Sequence, residues 1–218
     1  MLNMLGLSMN GLFDILFCLP GVVLAVTLHE YTKARCSTAF GDPQPRTDGR
    51  LTLNPLKHIE PIGFILVCVF GVGWGKPVKM MLNYYAPEKR RKYNLIVRIM
   101  PVVLNLLVGL LLGVGAMLMK TLLMPETAIG VWLLYAYYVV LGAAAVNICF
   151  ALGQCIPVYP MAGERVLANF MKPDTVVKMT RYQGIWQVLL VIGLLGGYMG
   201  MVIYPVCRLL LAMALPTL

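Results

Sequence analysis

Apolar residues dominate this chain in long blocks, and polar residues fall between the blocks. Charge-free runs occupy Pro61 to Gly75, Ile99 to Met119, Thr127 to Gly163 and Tyr182 to Cys207, and a further apolar stretch, Ile15 to Leu28, leads directly into His29 and Glu30. An uninterrupted apolar run of about 18 residues or more is long enough to cross a bilayer as a helix. The pattern predicts helices over Ile15–Thr32, Ile99–Met119, Ala128–Leu152 and Gln183–Cys207. Pro61 to Gly75 is different, because its 15 residues reach only about 22 Å as a helix against a hydrocarbon core of roughly 30 Å. With Gly63, Gly71, Gly73 and Gly75 along it, it reads as a re-entrant or shallow segment, the kind of broken helix a membrane accepts only under protein cover.

Composition agrees: 60% of the 218 residues are hydrophobic and 12% are charged, with a mean hydropathy of +0.80, whereas a soluble domain has about 25% charged residues. The excess apolar surface calls for lipid around it. The net charge of +9 does not imply nucleic acid, since the basic residues sit between the apolar runs, where they mark the cytoplasmic side of a membrane protein. Lys33 and Arg35 follow the first helix, Lys76 to Arg98 carries seven basic residues against Glu88 alone, and Glu164 to Arg181 holds four more. Placing all three inside puts the N-terminus outside, brings both ends of Pro61 to Gly75 to one side, and sets His29 and the turn Pro157 to Gly163 at cytoplasmic helix ends, where they can meet. Met1 to Phe13 contains no Lys or Arg, unlike a removable secretory signal, so the expectation is one polytopic domain over residues 1–218.

Most side chains with chemical potential have plain readings. The six cysteines lie mostly inside apolar runs without a C-x-x-C pair and read as packing residues. Trp132, Tyr135, Tyr137 and Tyr138 suit an interfacial belt, and the run Glu88 to Lys92 suits an anionic lipid surface. Asp14, 15 residues before His29, reads as interfacial. Asn105 and Asn147, each in an apolar helix, need hydrogen-bond partners that neighbouring helices supply.

His29 to Lys33, HEYTK, has the form of the zinc motif H-E-x-x-H with its second histidine replaced; that spacing puts two ligands on one helical face with a glutamate positioned as general base. An H-E pair alone says little. Three further segments add to it: GDPQPRTDGRLTLNPLKHIEPIG (Gly41–Gly63), MPVVLN (Met100–Asn105) and NICFALGQCIPVYPMAGERVL (Asn147–Leu167). In this order they resemble the site-2 protease family of intramembrane zinc metallopeptidases, over about residues 26–167. The second resembles that family's G-P-x-x-N element, with Met100 for glycine, and the third its N-x-x-P-x-P-P-L-D-G segment, which carries the third zinc ligand. The resemblance implies an all-α integral membrane protein, with four to six transmembrane helices, a re-entrant segment, a small β or loop element after the first helix, and an additional C-terminal helix over about residues 183–207.

The departures from that family fall on its chemistry. Lys33 stands at the second histidine position and Ala162 at the aspartate position, so His29 is the remaining ligand and Glu30 keeps the general-base position. Gly153-Gln154 replaces F-N in the last motif. A catalytic zinc ordinarily has three protein ligands and an open water position, so zinc is expected to be absent or weakly held. Lys33, three residues from Glu30, is placed to neutralise that acid in the metal's stead. His58 reads as structural and Glu164 as a remote candidate for the missing acid. In the family, the positions of Asn105 and Asn147 lie near the substrate channel. The leading reading is a degenerate member that binds or regulates transmembrane segments of client proteins. The alternatives are an active intramembrane zinc protease with unconventional ligands, and a small transporter or channel, which would want more buried acids than this chain offers. Expected partners are membrane lipids and clients, not nucleic acid, and the expected location is an integral, multi-pass position, the cell membrane if the source is bacterial.

Overall fold

The computed structural model describes residues 11–122 and 128–214, and among these every regular element is helical. The side chain of Asp14 and the loop residue Glu126 lie outside the described residues. Helices α1 (Gly11–Ala39), α4 (Arg90–Thr121) and α5 (Ala128–Gln154) pack on one another to form the body of the protein. Each contains a stretch long and apolar enough to cross a membrane: 15–39, 90–121 and 130–154.

α5 is the central helix: every residue from Leu141 to Ala151 is buried. It can be central because small residues allow close approach. A Cβ on Gly21 of α1 would come within 2.4 Å of Ala143 Cα, and one on Gly109 of α4 within 2.6 Å of Ile148 Cγ1, so the helix backbones meet without side chains between them, as in other membrane bundles. α4 lies outside α5 and exposes Ile99, Val103, Leu107, Leu111, Val114 and Leu118, a continuous apolar stripe at helical spacing whose exposure is stable in lipid and not in water.

Several predicted boundaries move. α1 continues to Ala39, past Thr32, and α4 starts at Arg90, nine residues before Ile99, so the basic run Arg90 to Lys92 begins a helix. The last apolar run does not form one helix over 183–207. It forms α8 (Gln183–Leu195) and α9 (Tyr198–Ala214), which meet at a 67° bend. Gly197 there adopts φ 76°, a left-handed conformation that glycine tolerates and that ends a helix. Helices long and apolar enough to cross a membrane therefore number three among the described residues, or four if the bent pair crosses as one, against an expected four to six. Tyr137 is also buried while Trp132 and Tyr135 are exposed, so the aromatic belt is narrower than the sequence suggested.

The small β or loop element expected after the first helix is a loop, with no strand among the described residues. The stretch from α1 to α3 (Pro61–Phe70) contains only the short helix α2 (Gln44–Thr47) and a 3-10 turn, Pro55–Lys57. Pro43, Pro45 and Pro55 lack the N–H a β-ladder needs, and buried side chains take over the bonding. Asp42 accepts from Ser37 Oγ at 2.7 Å, Gln44 N at 3.0 Å and Met81 N at 2.9 Å. With Ser37 donating to Asp42, the Tyr85 hydroxyl, 2.7 Å away, is left to donate to Ser37. Arg50 donates to the carbonyls of Lys57 and Lys76, and His58 Nε2 donates to the Thr52 carbonyl at 2.7 Å.

α3 is a ten-residue helix, about 15 Å long. Glu60 caps its start by accepting from Gly63 N at 2.6 Å, and Gly71, at φ 68°, ends it. The chain then returns along it: a Cβ on Gly63 would lie 2.2 Å from Trp74 O, and one on Gly73 would lie 2.3 Å from Gly63 O. Residues 61–75 thus form a compact hairpin of one helix and its return segment of chain. α6 (Ala162–Ala168) and α7 (Pro173–Arg181) complete the helices.

Candidate functional site

The hairpin return segment, the end of α5 and the start of α6 converge on the His29–Lys33 stretch of α1. Gly75 sits so close that a Cβ there would be 2.9 Å from Glu30 Cγ and 2.9 Å from Val26 Cγ1. Gln154, the last residue of α5, ties the parts together: its Nε2 donates to the Gly73 carbonyl at 2.9 Å, and its Oε1 accepts from Ala162 N at 3.1 Å. A cavity of about 370 Å³ opens here, with Glu30, Lys33, Trp74, Arg98, Gln154 and Arg165 in its wall.

Inside this wall Lys33 Nζ donates to Glu30 Oε1 at 2.8 Å, with the two side chains 11% and 4% exposed. The three-residue spacing on α1 makes the pairing possible, and burial makes it consequential, because an unpaired charge at this depth is costly. Glu30 Oε2 has no hydrogen-bond partner. His29 points elsewhere. It is fully buried, its ring meets Phe150 edge-on with centroids 5.3 Å apart, and both ring nitrogens are without partners.

The other sequence candidates divide between scaffold and site. Asn105 Nδ2 donates to the Ala25 carbonyl at 3.0 Å, joining α4 to α1, and Asn147 Nδ2 donates to Ala143 O within α5 at 2.8 Å. Both are buried, and neither is in the cavity wall. Ala162 is buried at the start of α6 and touches the site through Gln154. Glu164 is buried and pairs with Arg165, Nε to Oε2 3.0 Å; it does not line the cavity. His58 lies in the loop, where burial pushes its imidazole below its ordinary pKa; the bond to Thr52 O opposes this shift.

These residues do not fit a zinc ion held in the ordinary way. Among the described residues no three His, Cys, Asp or Glu side chains are grouped as a metal would need, and three protein ligands are the usual minimum. His29 offers two free nitrogens, but an ammonium group is hydrogen-bonded to the acid beside it, and the side chain of Ala162, at the start of α6, carries no metal-binding atom. What the cavity does hold is cationic side chains. Arg98 and Arg165 were legible in the sequence only as loop-flanking positive charge, and Gln154 only as a mismatch; no local pattern signals that they face one chamber.

Over 165 residues the chain is 30% identical to a protein of Bacillus subtilis (strain 168) described as "Putative zinc metalloprotease YwhC", a match covering 73% of this chain and 71% of that protein. No family model matches the chain, and no solved structure does.

Proposed function

The chain belongs to the metalloprotease family of that Bacillus protein, and from this membership we propose that it is a degenerate member of the site-2 protease type that binds or regulates transmembrane segments without cutting them. The observation that carries the proposal is the buried Lys33–Glu30 pair, 2.8 Å between Nζ and Oε1. In the hydrolytic form of the motif, the glutamate takes a proton from a metal-bound water. Here one oxygen of that carboxylate is held by an ammonium group at the position of a metal ligand. Lys33 sets its ammonium group against that acid, and the scaffold survives around the pair: the hairpin of residues 61–75, the Gln154 bridge and the buried Asn105 and Asn147. The apolar stripe that α4 exposes from Ile99 to Leu118 suits holding a helical segment or gating a partner.

A second reading, an active zinc protease with unconventional ligands, draws on the two unpartnered nitrogens of His29. Zinc stoichiometry separates the two. Protein purified in mild detergent with trace zinc, then measured by elemental analysis, is expected to carry far less than one zinc per chain. About one zinc per chain, lost on His29→Ala, would overturn the proposal in favour of the enzyme.

A further inference from the structure

Arg98 has no carboxylate within ion-pair distance among the described residues, and its Nε is buried without a hydrogen-bond partner. The other two cations of the chamber wall are matched, Lys33 by Glu30 and Arg165 by Glu164. Arg98 is partly exposed, in the walls of two cavities, so its remaining donors are open to a partner from outside the chain.

The surroundings identify that partner. Arg98 and Gln154 belong to the walls of two cavities: the polar chamber, and a second cavity of about 410 Å³ formed by Ile99, Val102, Val166, Leu167 and Phe170. The second cavity is apolar, and Ile99, Leu167 and Phe170 are exposed at its rim. Each volume is the size of an ordinary ligand pocket. Depth points the same way. Arg98 lies about 12 Å further along the α4 axis than Arg90, below the basic turn Arg90 to Lys92. The next residue, Ile99, begins the exposed apolar stripe of α4. The arginine thus marks the polar–apolar boundary, where a bilayer keeps its phosphates.

We propose that the two cavities together hold one phospholipid with an anionic headgroup, its phosphate on Arg98 with Arg165 and Lys33 nearby and an acyl chain along Ile99, Val102, Val166 and Phe170. Arginine suits phosphate because its planar donors engage two oxygens at once. The proposal rests on the preceding reading only in taking the chamber to be free of metal. A lipid held here covers the approach to Glu30 and ties occupancy of the chamber to the anionic lipid content of the membrane.

The test uses the full chain purified in mild detergent and titrated, under native mass spectrometry, with phosphatidylglycerol or phosphatidylcholine of identical acyl chains. Wild type and Lys92→Gln, which removes an exposed charge from the same helix, are expected to retain one phosphatidylglycerol at least about tenfold more tightly than phosphatidylcholine, because both offer the phosphate but choline brings a cation beside Arg98, Lys33 and Arg165. Arg98→Gln should lose that preference and Arg98→Lys should keep part of it. Val166→Trp, which fills the apolar cavity, should weaken both lipids. An undiminished preference in Arg98→Gln would overturn the proposal. Equal retention of both lipids by wild type would do the same. Displacement of the lipid by millimolar glycerol phosphate would show a site for a free anion and remove the acyl chain from it, a result that needs no variant to fold. Zinc measured in the same samples reports separately: stoichiometric zinc refutes the metal-free reading, whatever the lipids do.

Discussion

Replacing Lys33 by methionine keeps most of the side-chain volume and removes the ammonium group, leaving Glu30 as a carboxylate with 4% of its side chain exposed. At the observed 2.8 Å separation, two unit charges attract by on the order of 6 kcal/mol at an effective dielectric constant near 20, and desolvation offsets much of this in the intact pair. Breaking a buried pair by deleting one partner costs about 3–5 kcal/mol, because the survivor stays buried and loses its counter-charge. Arg50 and Arg98 still act on Glu30 electrostatically, which holds the expected loss near the lower end, about 3 kcal/mol. For a chain of this size that corresponds to a fall in thermal midpoint of roughly 6–12 °C. Glu30→Gln in the Lys33→Met background removes the stranded charge and should recover at least about half of the fall. The assay is the set of thermal midpoints for wild type, Glu30→Gln, Lys33→Met and the double variant, in one detergent and without added metal. Additive effects, with the double variant no better than Lys33→Met, would refute the pairing as an energetic unit. Lys33 would then be a side chain that reaches toward the interface, and the electrostatic substitution for a metal would fail with it.

Restoring the two missing ligands, Lys33→His with Ala162→Asp, should raise zinc content toward about one per chain, since the Gln154 bridge already brings the start of α6 to the chamber wall; a well-folded double variant with unchanged zinc would mean that the chamber itself has changed shape. His58 predicts a pH effect on stability. Burial lowers its pKa in the folded protein, so below its unfolded value, about 6.5, the unfolded chain binds more protons than the folded one, and stability falls as pH drops through the window between the two values. The wild-type thermal midpoint should fall further than that of His58→Gln between pH 7.5 and pH 5.5, and parallel falls would show that His58 is not the group responsible.

Much of this protein was legible in its sequence because a membrane imposes long-range rules on short-range patterns. Helices had to be apolar for about 20 residues to satisfy their backbone in lipid, so the cores of α1, α4 and α5 could be read from runs of residues, and the shortness of α3 from a run too short to cross. The ordered motifs around His29, Gly41–Gly63, Met100–Asn105 and Asn147–Leu167 signalled the family, and i, i+3 spacing paired Lys33 with Glu30 before any coordinates did. Helix ends were less legible. α4 extends back to Arg90 and α1 on to Ala39 because, outside the bilayer core, helix limits depend on what packs against the last turns, and hydropathy is silent on that. The bend at Gly197 depended on a left-handed glycine that an apolar run hides. The loop after α1 followed from buried Asp42, Arg50 and His58 bonding to distant backbone, an arrangement with no local period. The chamber was the least visible feature of all. Glu30, Lys33, Arg98, Gln154 and Arg165 come from four helices, α1, α4, α5 and α6, and their convergence is a property of how α1, α4 and α5 cross and where α6 begins. In the sequence, Arg98 is one more positive charge at a helix end; only the packing turns it inward and leaves it without a carboxylate.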